Sequence, residues 1–181
     1  MEKNKPWLYI PIETKVRELY GKTLLASFSA IKGFNVVIGS KKDISSRSAF
    51  FPKGIIFNVG LAKKMAKNSK KYKEYGHRAV AIDEEGLVTL NDNLYIRHRV
   101  SKEALDVTDM FFCWGKHQEN LIKKEFAGSS CKIFVSGNPR FDILRPKYKI
   151  IFDKDVEKIK KKYGKFILIN TNFGHGNHFA G

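Results

Sequence analysis

The stretch GIIFNVGLAKKMAKNSKKYKEYGHRAVAIDEEG, residues 54–86, contains the pattern that decides the fold. Two short apolar runs, GIIFNVG and RAVAID, enclose a lysine-rich segment that ends at a glycine. In that segment a stripe recurs at helical spacing, and the lysines fall mainly on the opposite face. The stripe consists of Leu61, Met65, Asn68, Tyr72 and Tyr75. A strand, a helix and a second strand in this order predict two parallel strands joined by a crossover helix.

The same alternation extends along the chain in both directions. The six runs that predict strands are WLYIPI (7–12), FNVVIG (34–39), GIIFNVG (54–60), RAVAID (78–83), MFFCWG (110–115) and KIFVSG (132–137). Helical segments separate them, and the first has a stripe at Val16, Leu19, Tyr20, Thr23, Leu24, Phe28 and Ile31. Nearly continuous apolar strands are typical of sheets covered on both faces. We therefore predict an α/β fold, a doubly wound Rossmann-like parallel sheet.

Near its C-terminus the chain again shows a helical segment followed by an apolar run. A second lysine-rich helix is predicted, with its stripe at Phe152, Val156, Ile159 and Tyr163. The apolar run FILINTNFG (166–174) follows it, without a helix to cover a new strand. We predict a Rossmann-like domain over 6–148, and a linker helix with the first strand of an incomplete second domain over 149–181.

Composition restricts the cellular setting and the partners. The 181 residues include no apolar run long enough to span a membrane, and the N-terminus lacks a signal-peptide core, so we predict a cytoplasmic protein. Cys113 and Cys131 lie in apolar or strand-like runs and are predicted to be buried free thiols. The net charge of +16 leaves three interpretations open: a solvated lysine face, peripheral contact with an anionic membrane, or nucleic-acid binding. The usual nucleic-acid motifs are absent, and we expect no nucleic-acid partner.

Polar residues that follow the apolar runs are candidates for a site, because open α/β sheets bind ligands beyond the carboxyl ends of their strands. Four groups qualify: Glu13, Thr14, Lys15 and Arg17; Asp83, Glu84 and Glu85; Asn138, Arg140 and Asp142; and Asn170 and Asn172. The first three groups are expected to share one cleft.

The chemistry of these groups has two interpretations at each position. Glu13, Asp83, Glu84 and Glu85 are candidate catalytic residues, because a carboxylate in a cleft can take a proton from a hydroxyl. Capping of the following helix or turn and pairing with a nearby arginine are the alternatives. Arg140 either binds a phosphate or carboxylate or pairs with Asp142. The two histidines of HGNH (175–178) lack a third ligand, and no metal is predicted.

Six motifs in order resemble the bacterial surface carbohydrate biosynthesis proteins. They are PWLYIPIETKVREL, FNVVIGS, GHRAVAIDEEGLV, FFCWG, SGNPRFDIL and YGKFILINTNF, between about residues 6 and 178. That resemblance implies the N-terminal, acceptor-side half of a glycosyltransferase of the two-domain GT-B architecture.

The implied substrates are a sugar nucleotide as donor and a glycan or lipid-linked acceptor, with no other cofactor. On this reading 149–181 only begin the donor-binding half, and these 181 residues are expected to be inactive alone. GNPRFD is also similar to a turn of sugar-nucleotide 2-epimerases, which gives a second interpretation. A non-catalytic basic binding domain is the third.

Overall fold

The computed structural model describes residues 5–87 and 91–169. These residues form six strands: β1 Trp7–Ile12, β2 Asn35–Ser40, β3 Gly54–Asn58, β4 Arg78–Ile82, β5 Met110–Cys113 and β6 Lys132–Val135. They also form eight α-helices: α1 Lys15–Ile31, α2 Lys41–Arg47, α3 Lys63–Glu74, α4 Asp92–Arg99, α5 Lys102–Asp106, α6 Lys116–Glu125, α7 Pro139–Asp142 and α8 Asp153–Tyr163. Two 3-10 segments lie at Ser48–Phe50 and Pro146–Phe152.

All six described strands are parallel and lie in the order β2-β1-β3-β4-β5-β6. Helices cover both faces, which confirms the predicted doubly wound, Rossmann-like α/β fold. The chain moves outward from β1 to β2 and then returns past β1 to β3. The order of the strands therefore reverses between β1 and β3, and sheets of this type bind ligands outside the carboxyl ends of the strands at such a reversal.

The core lies on both faces of the sheet. On one face Tyr9 and Ile56 pack with Ile44 of α2 and Tyr72 of α3. A larger cluster continues there under α5 and α6: Leu61, Ala81, Tyr95, Val100, Ala104, Leu105, Phe111, Cys113, Ile122 and Cys131. On the opposite face Leu8 and Ile10 of β1 form a smaller cluster with Ala26 of α1. Burial of these side chains is the main force that joins the helices to the sheet.

Short local signals set the ends of several helices. The side chains of Ser40, Asn91 and Ser101 cap α2, α4 and α5, accepting hydrogen bonds from backbone N–H groups at 3.1, 2.9 and 3.1 Å. Gly33 and Gly76 follow α1 and α3 with φ angles of 92° and 82°, a left-handed backbone that glycine adopts without strain. The predicted end of the lysine-rich helix at Gly76 is confirmed.

The predicted buried face of α1 is wrong. The residues of α1 that the structure buries are Glu18, Gly21, Lys22 and Ala26, whereas Val16 and Ile31 of the predicted stripe are 92% and 78% exposed. The reason is that α1 directs two charged side chains toward the strand ends and a glycine toward α7. A stripe chosen by hydrophobicity alone excludes that face.

The chain divides into two compact units, residues 1–145 and 146–181. In the second unit α8 forms as the sequence predicts. Residues 166–169 contain no regular secondary structure, and the rest of the predicted seventh strand lies outside the described residues, as do Asn170, Asn172 and both histidines of HGNH. The strand of a second domain stays a prediction.

Cys113 and Cys131 are buried and free, which confirms the sequence prediction. Burial raises the pKa of each thiol to about 12, so both are inert at neutral pH. In the described part of the chain, no helix has the length and apolar character that a bilayer crossing requires.

Candidate functional site

A cavity of about 250 Å³ lies where β1, β3 and β4 end, beside the reversal of strand order. Its walls come from the segments after these three strands and from α4. The lining residues are Glu13, Thr14, Arg17, Val59, Gly60, Ala62, Lys64, Met65, Glu84, Glu85 and Arg99. The predicted groups after β1 and β4 therefore converge, and the cavity combines charged side chains with a short apolar wall.

Glu18 fixes the turn that leads from β1 into α1. Its buried carboxylate accepts hydrogen bonds from the backbone N–H groups of Glu13 and Thr14, at 3.0 and 3.1 Å. It also accepts from Lys22 Nζ at 2.7 Å and from Arg17 Nη2 at 2.9 Å. Burial alone would raise the pKa of Glu18, but these donors outweigh it and lower the pKa from 4.5 to about 2. Glu18 is therefore a fixed negative charge.

Lys22 joins three elements beneath the cavity. Its ammonium donates to the backbone oxygen of Pro11 at 2.6 Å, to Glu18 at 2.7 Å, and lies 3.2 Å from Glu84 Oε1. All three side chains of this group are nearly inaccessible to solvent. Burial raises the pKa of Glu84, although the positive charge of Lys22 opposes the shift. The ends of β1 and β4 are thus linked to α1 through one ammonium group.

Of the three acidic residues after β4, Asp83 and Glu84 are buried and Glu85 is exposed to solvent. Asp83 is buried, pairs with the guanidinium of Arg99, and accepts from the backbone N–H of Glu85 at 3.1 Å. Glu85 is 51% exposed and lies between Arg17 at 2.7 Å and Arg99 at 2.8 Å. Hydrogen bonding to Arg17 is the main cause of its lowered pKa. Asp83 and Glu84 therefore support the cavity, and Glu85 contributes to its accessible wall.

Glu13 is the most open of the acids after β1. Its carboxylate is 40% exposed and accepts one hydrogen bond from Lys41 Nζ at 2.7 Å. Glu13 also lines an open groove of about 450 Å³, together with Lys41 and Lys42. A carboxylate between a cavity and a groove is placed to contact a molecule that enters either one.

The group after β6 is only partly at the site. Asn138 caps α7, accepting from the backbone N–H of Arg140 at 3.0 Å. Arg140 donates to the backbone oxygen of Glu84 at 2.7 Å, and both line a small cavity of about 20 Å³ that shares Glu84 with the main one. Asp142 instead pairs with Arg145 at 2.7 Å, so the predicted alternative of an Arg140–Asp142 pair is wrong.

Gly21 explains why α7 reaches the site. A Cβ atom on Gly21 would lie 2.8 Å from the backbone nitrogen of Arg140 and 3.0 Å from its Cα. The absence of a side chain in mid-helix therefore allows α7 to pack directly on α1. This close approach carries the Arg140 guanidinium to the end of β4.

Sequence reasoning missed several residues of this site. Lys15 is exposed and is not among the described residues that line the cavity, whereas Glu18, Lys22, Lys41 and Arg99 were not predicted. A Glu and a Lys at i and i+4 on either side of a mid-helix glycine were the available signal for Glu18 and Lys22. Within the described ranges no group of three or more His, Cys, Asp or Glu side chains could hold a metal ion.

The chain was also compared with known proteins. No protein-family model, curated protein or solved structure matches it. Its function must therefore be argued from the site.

Proposed function

We propose that residues 5–145 form the acceptor-side domain of a sugar-nucleotide-dependent glycosyltransferase of surface glycan biosynthesis, at the cytoplasmic face of the membrane. The observation that carries this proposal is the composition of the cavity at the ends of β1, β3 and β4. Its lining combines carboxylates, guanidinium groups, the ammonium of Lys64 and a threonine hydroxyl with the apolar side chains of Val59, Ala62 and Met65. Such a lining suits a sugar, which presents hydroxyl groups at its edges and C–H groups on its faces.

Lys64 also lines the cavity, but the ion pairs of its two arginines favour a neutral, hydroxyl-rich acceptor over an anion. Arg17 and Arg99 already donate to Glu85, and Arg99 is further neutralised by Asp83. A hydroxyl can donate to the carboxylate and accept from the guanidinium of the same pair. The paired charges also remain fixed, so the acceptor finds its hydrogen-bonding partners already oriented.

Glu13 is the residue to which we assign the role of general base. It combines exposure, a position on the cavity wall and a single described cationic partner, Lys41. In the proposed reaction Glu13 takes the proton of the acceptor hydroxyl as that oxygen attacks the anomeric carbon of the sugar nucleotide. The bond between that carbon and the nucleotide phosphate breaks, and the phosphate leaves with the electron pair. The donor itself would be bound by a second domain.

The test is saturation-transfer NMR on the 181-residue chain with di- and trisaccharides of glucose, galactose and N-acetylglucosamine, and with UDP as the nucleotide probe. We expect one or more saccharides to bind and UDP to bind at least tenfold more weakly. Glu13→Gln should weaken saccharide binding about tenfold, about 1.4 kcal/mol. Asp142→Asn, which neutralises a carboxylate outside the cavity, should leave binding unchanged.

Failure of every saccharide to bind would overturn the acceptor assignment. Competition between UDP and a saccharide at this cavity would favour the epimerase interpretation instead.

A further inference from the structure

The second unit of the chain exposes an apolar stripe on a strongly basic helix. In α8 the side chains of Val156, Ile159 and Tyr163 lie at spacings of three and four residues, and they are 41–57% exposed. None of the described residues 146–169 is buried, so this segment has no core of its own. An isolated helix of this length is marginal in water and gains its stability by covering its apolar face.

The charge of the segment indicates what covers it. Residues 146–169 contain eight lysines and three acidic residues. Lys160 and Lys162 lie on either side of the stripe when the helix is viewed along its axis, where long side chains can extend toward a polar boundary. A helix with an apolar stripe, flanking lysines and low overall hydrophobicity is the type that lies in the interface of a lipid bilayer.

Nucleic acid is the competing partner for the lysines alone. It would bind through phosphate contacts and would leave the aliphatic side chains of Val156 and Ile159 in water. An anionic bilayer accommodates both features, because its phosphates attract the lysines and its acyl boundary accepts the stripe.

We propose that α8 binds the surface of an anionic lipid bilayer. The stripe of Val156, Ile159 and Tyr163 enters the boundary between headgroups and acyl chains, and the lysines contact the headgroup phosphates. This inference depends on the α8 segment alone and fails or stands separately from saccharide binding at Glu13.

The experiment measures sedimentation of the 181-residue chain with phosphatidylcholine vesicles, with and without phosphatidylglycerol. We expect phosphatidylglycerol to increase the bound fraction strongly. Lys160→Gln/Lys162→Gln should reduce the binding constant about tenfold or more, since each basic residue near an anionic surface adds to the attraction. Ile159→Asp should reduce it at least as much, because it places a carboxylate in the stripe.

The matched control is Lys67→Gln/Lys70→Gln in α3. It removes the same charge from α3, which is also rich in lysine. The apolar face of α3, Met65 and Tyr72, is buried in the first unit. We expect this double substitution to change the binding constant for the vesicles less than twofold.

Three results would overturn the proposal: no dependence on phosphatidylglycerol, equal losses for the two lysine pairs, or unchanged binding by Ile159→Asp. Binding of a single-stranded RNA oligonucleotide that is weakened by Lys160→Gln/Lys162→Gln but not by Ile159→Asp would assign the segment to nucleic acid. Circular dichroism and the unfolding midpoint of each variant serve to exclude misfolding.

Discussion

The carboxyl edge of the sheet has a buried half and an open half, built from the same kinds of side chain. The buried half is Glu18, Lys22 and Glu84, and the open half is Glu13, Arg17 and Glu85 with Lys41 and Arg99. In the buried half the charges satisfy one another and join β1, β4 and α1. In the open half carboxylates and cations remain within reach of solvent. Burial, and not residue type, therefore separates the residues that hold the site from those that can bind a ligand.

Lys22→Ala should give the largest loss of stability. It would leave Glu18 and Glu84 buried without their shared ammonium, and the loss of one partner from a buried ion pair costs about 3–5 kcal/mol. Lys41→Ala, which removes the partner of exposed Glu13, should cost no more than about 1 kcal/mol. Urea denaturation of both variants measures the difference. Equal losses would show that the two halves do not differ in this way.

Gly21→Ala should have the next largest effect. The added methyl group would overlap the backbone of Arg140, which costs about 1–3 kcal/mol. Replacement of a mid-helix glycine returns at most about 1 kcal/mol of helix propensity, so we expect a net loss. Gly128→Ala is the control, since a Cβ there meets no atom within 4 Å. A Gly21→Ala protein that is more stable than the parent would contradict the close packing of α7 on α1.

The pH dependence of stability should separate Glu18 from Glu84. The pKa of Glu18 is lowered to about 2, so its stabilising contribution is present above its ordinary pKa of 4.5 and is lost as the pH falls toward 2. The difference in unfolding free energy between the parent and Glu18→Gln should therefore shrink over that interval.

The stabilising contribution of Glu84 changes with pH in the opposite direction, because burial raises its pKa. Its contribution is greatest below the ordinary carboxyl pKa and is lost as the pH rises through the raised value. The stability of the parent relative to Glu84→Gln should therefore decline with rising pH. Parallel profiles for the two variants would contradict their different environments.

The sheet and a few helix ends could be predicted from the sequence, because buried parallel strands are continuous apolar runs and glycines such as Gly33 and Gly76 end helices locally. The convergence of the groups after β1 and β4 also followed from the parallel topology. The pairing of charged side chains within the site could not be predicted in this way. Arg99, at the end of α4, pairs with Asp83 sixteen positions earlier in the chain, and no spacing rule identifies such a partner. The face of α1 was missed because a buried ion pair occupies positions that hydrophobicity would assign to apolar residues.

The central claim is that the open half of this edge binds a hydroxyl-rich acceptor. The most direct measurement is mapping of backbone amide chemical shifts during titration with a saccharide found to bind. We predict that the largest shifts fall at residues 13–17, 59–65 and 84–86, and that Glu13→Gln needs about tenfold more saccharide to produce them while its spectrum stays folded. Large shifts confined to β6 and α7, or shifts that persist unchanged in Glu13→Gln, would contradict the claim.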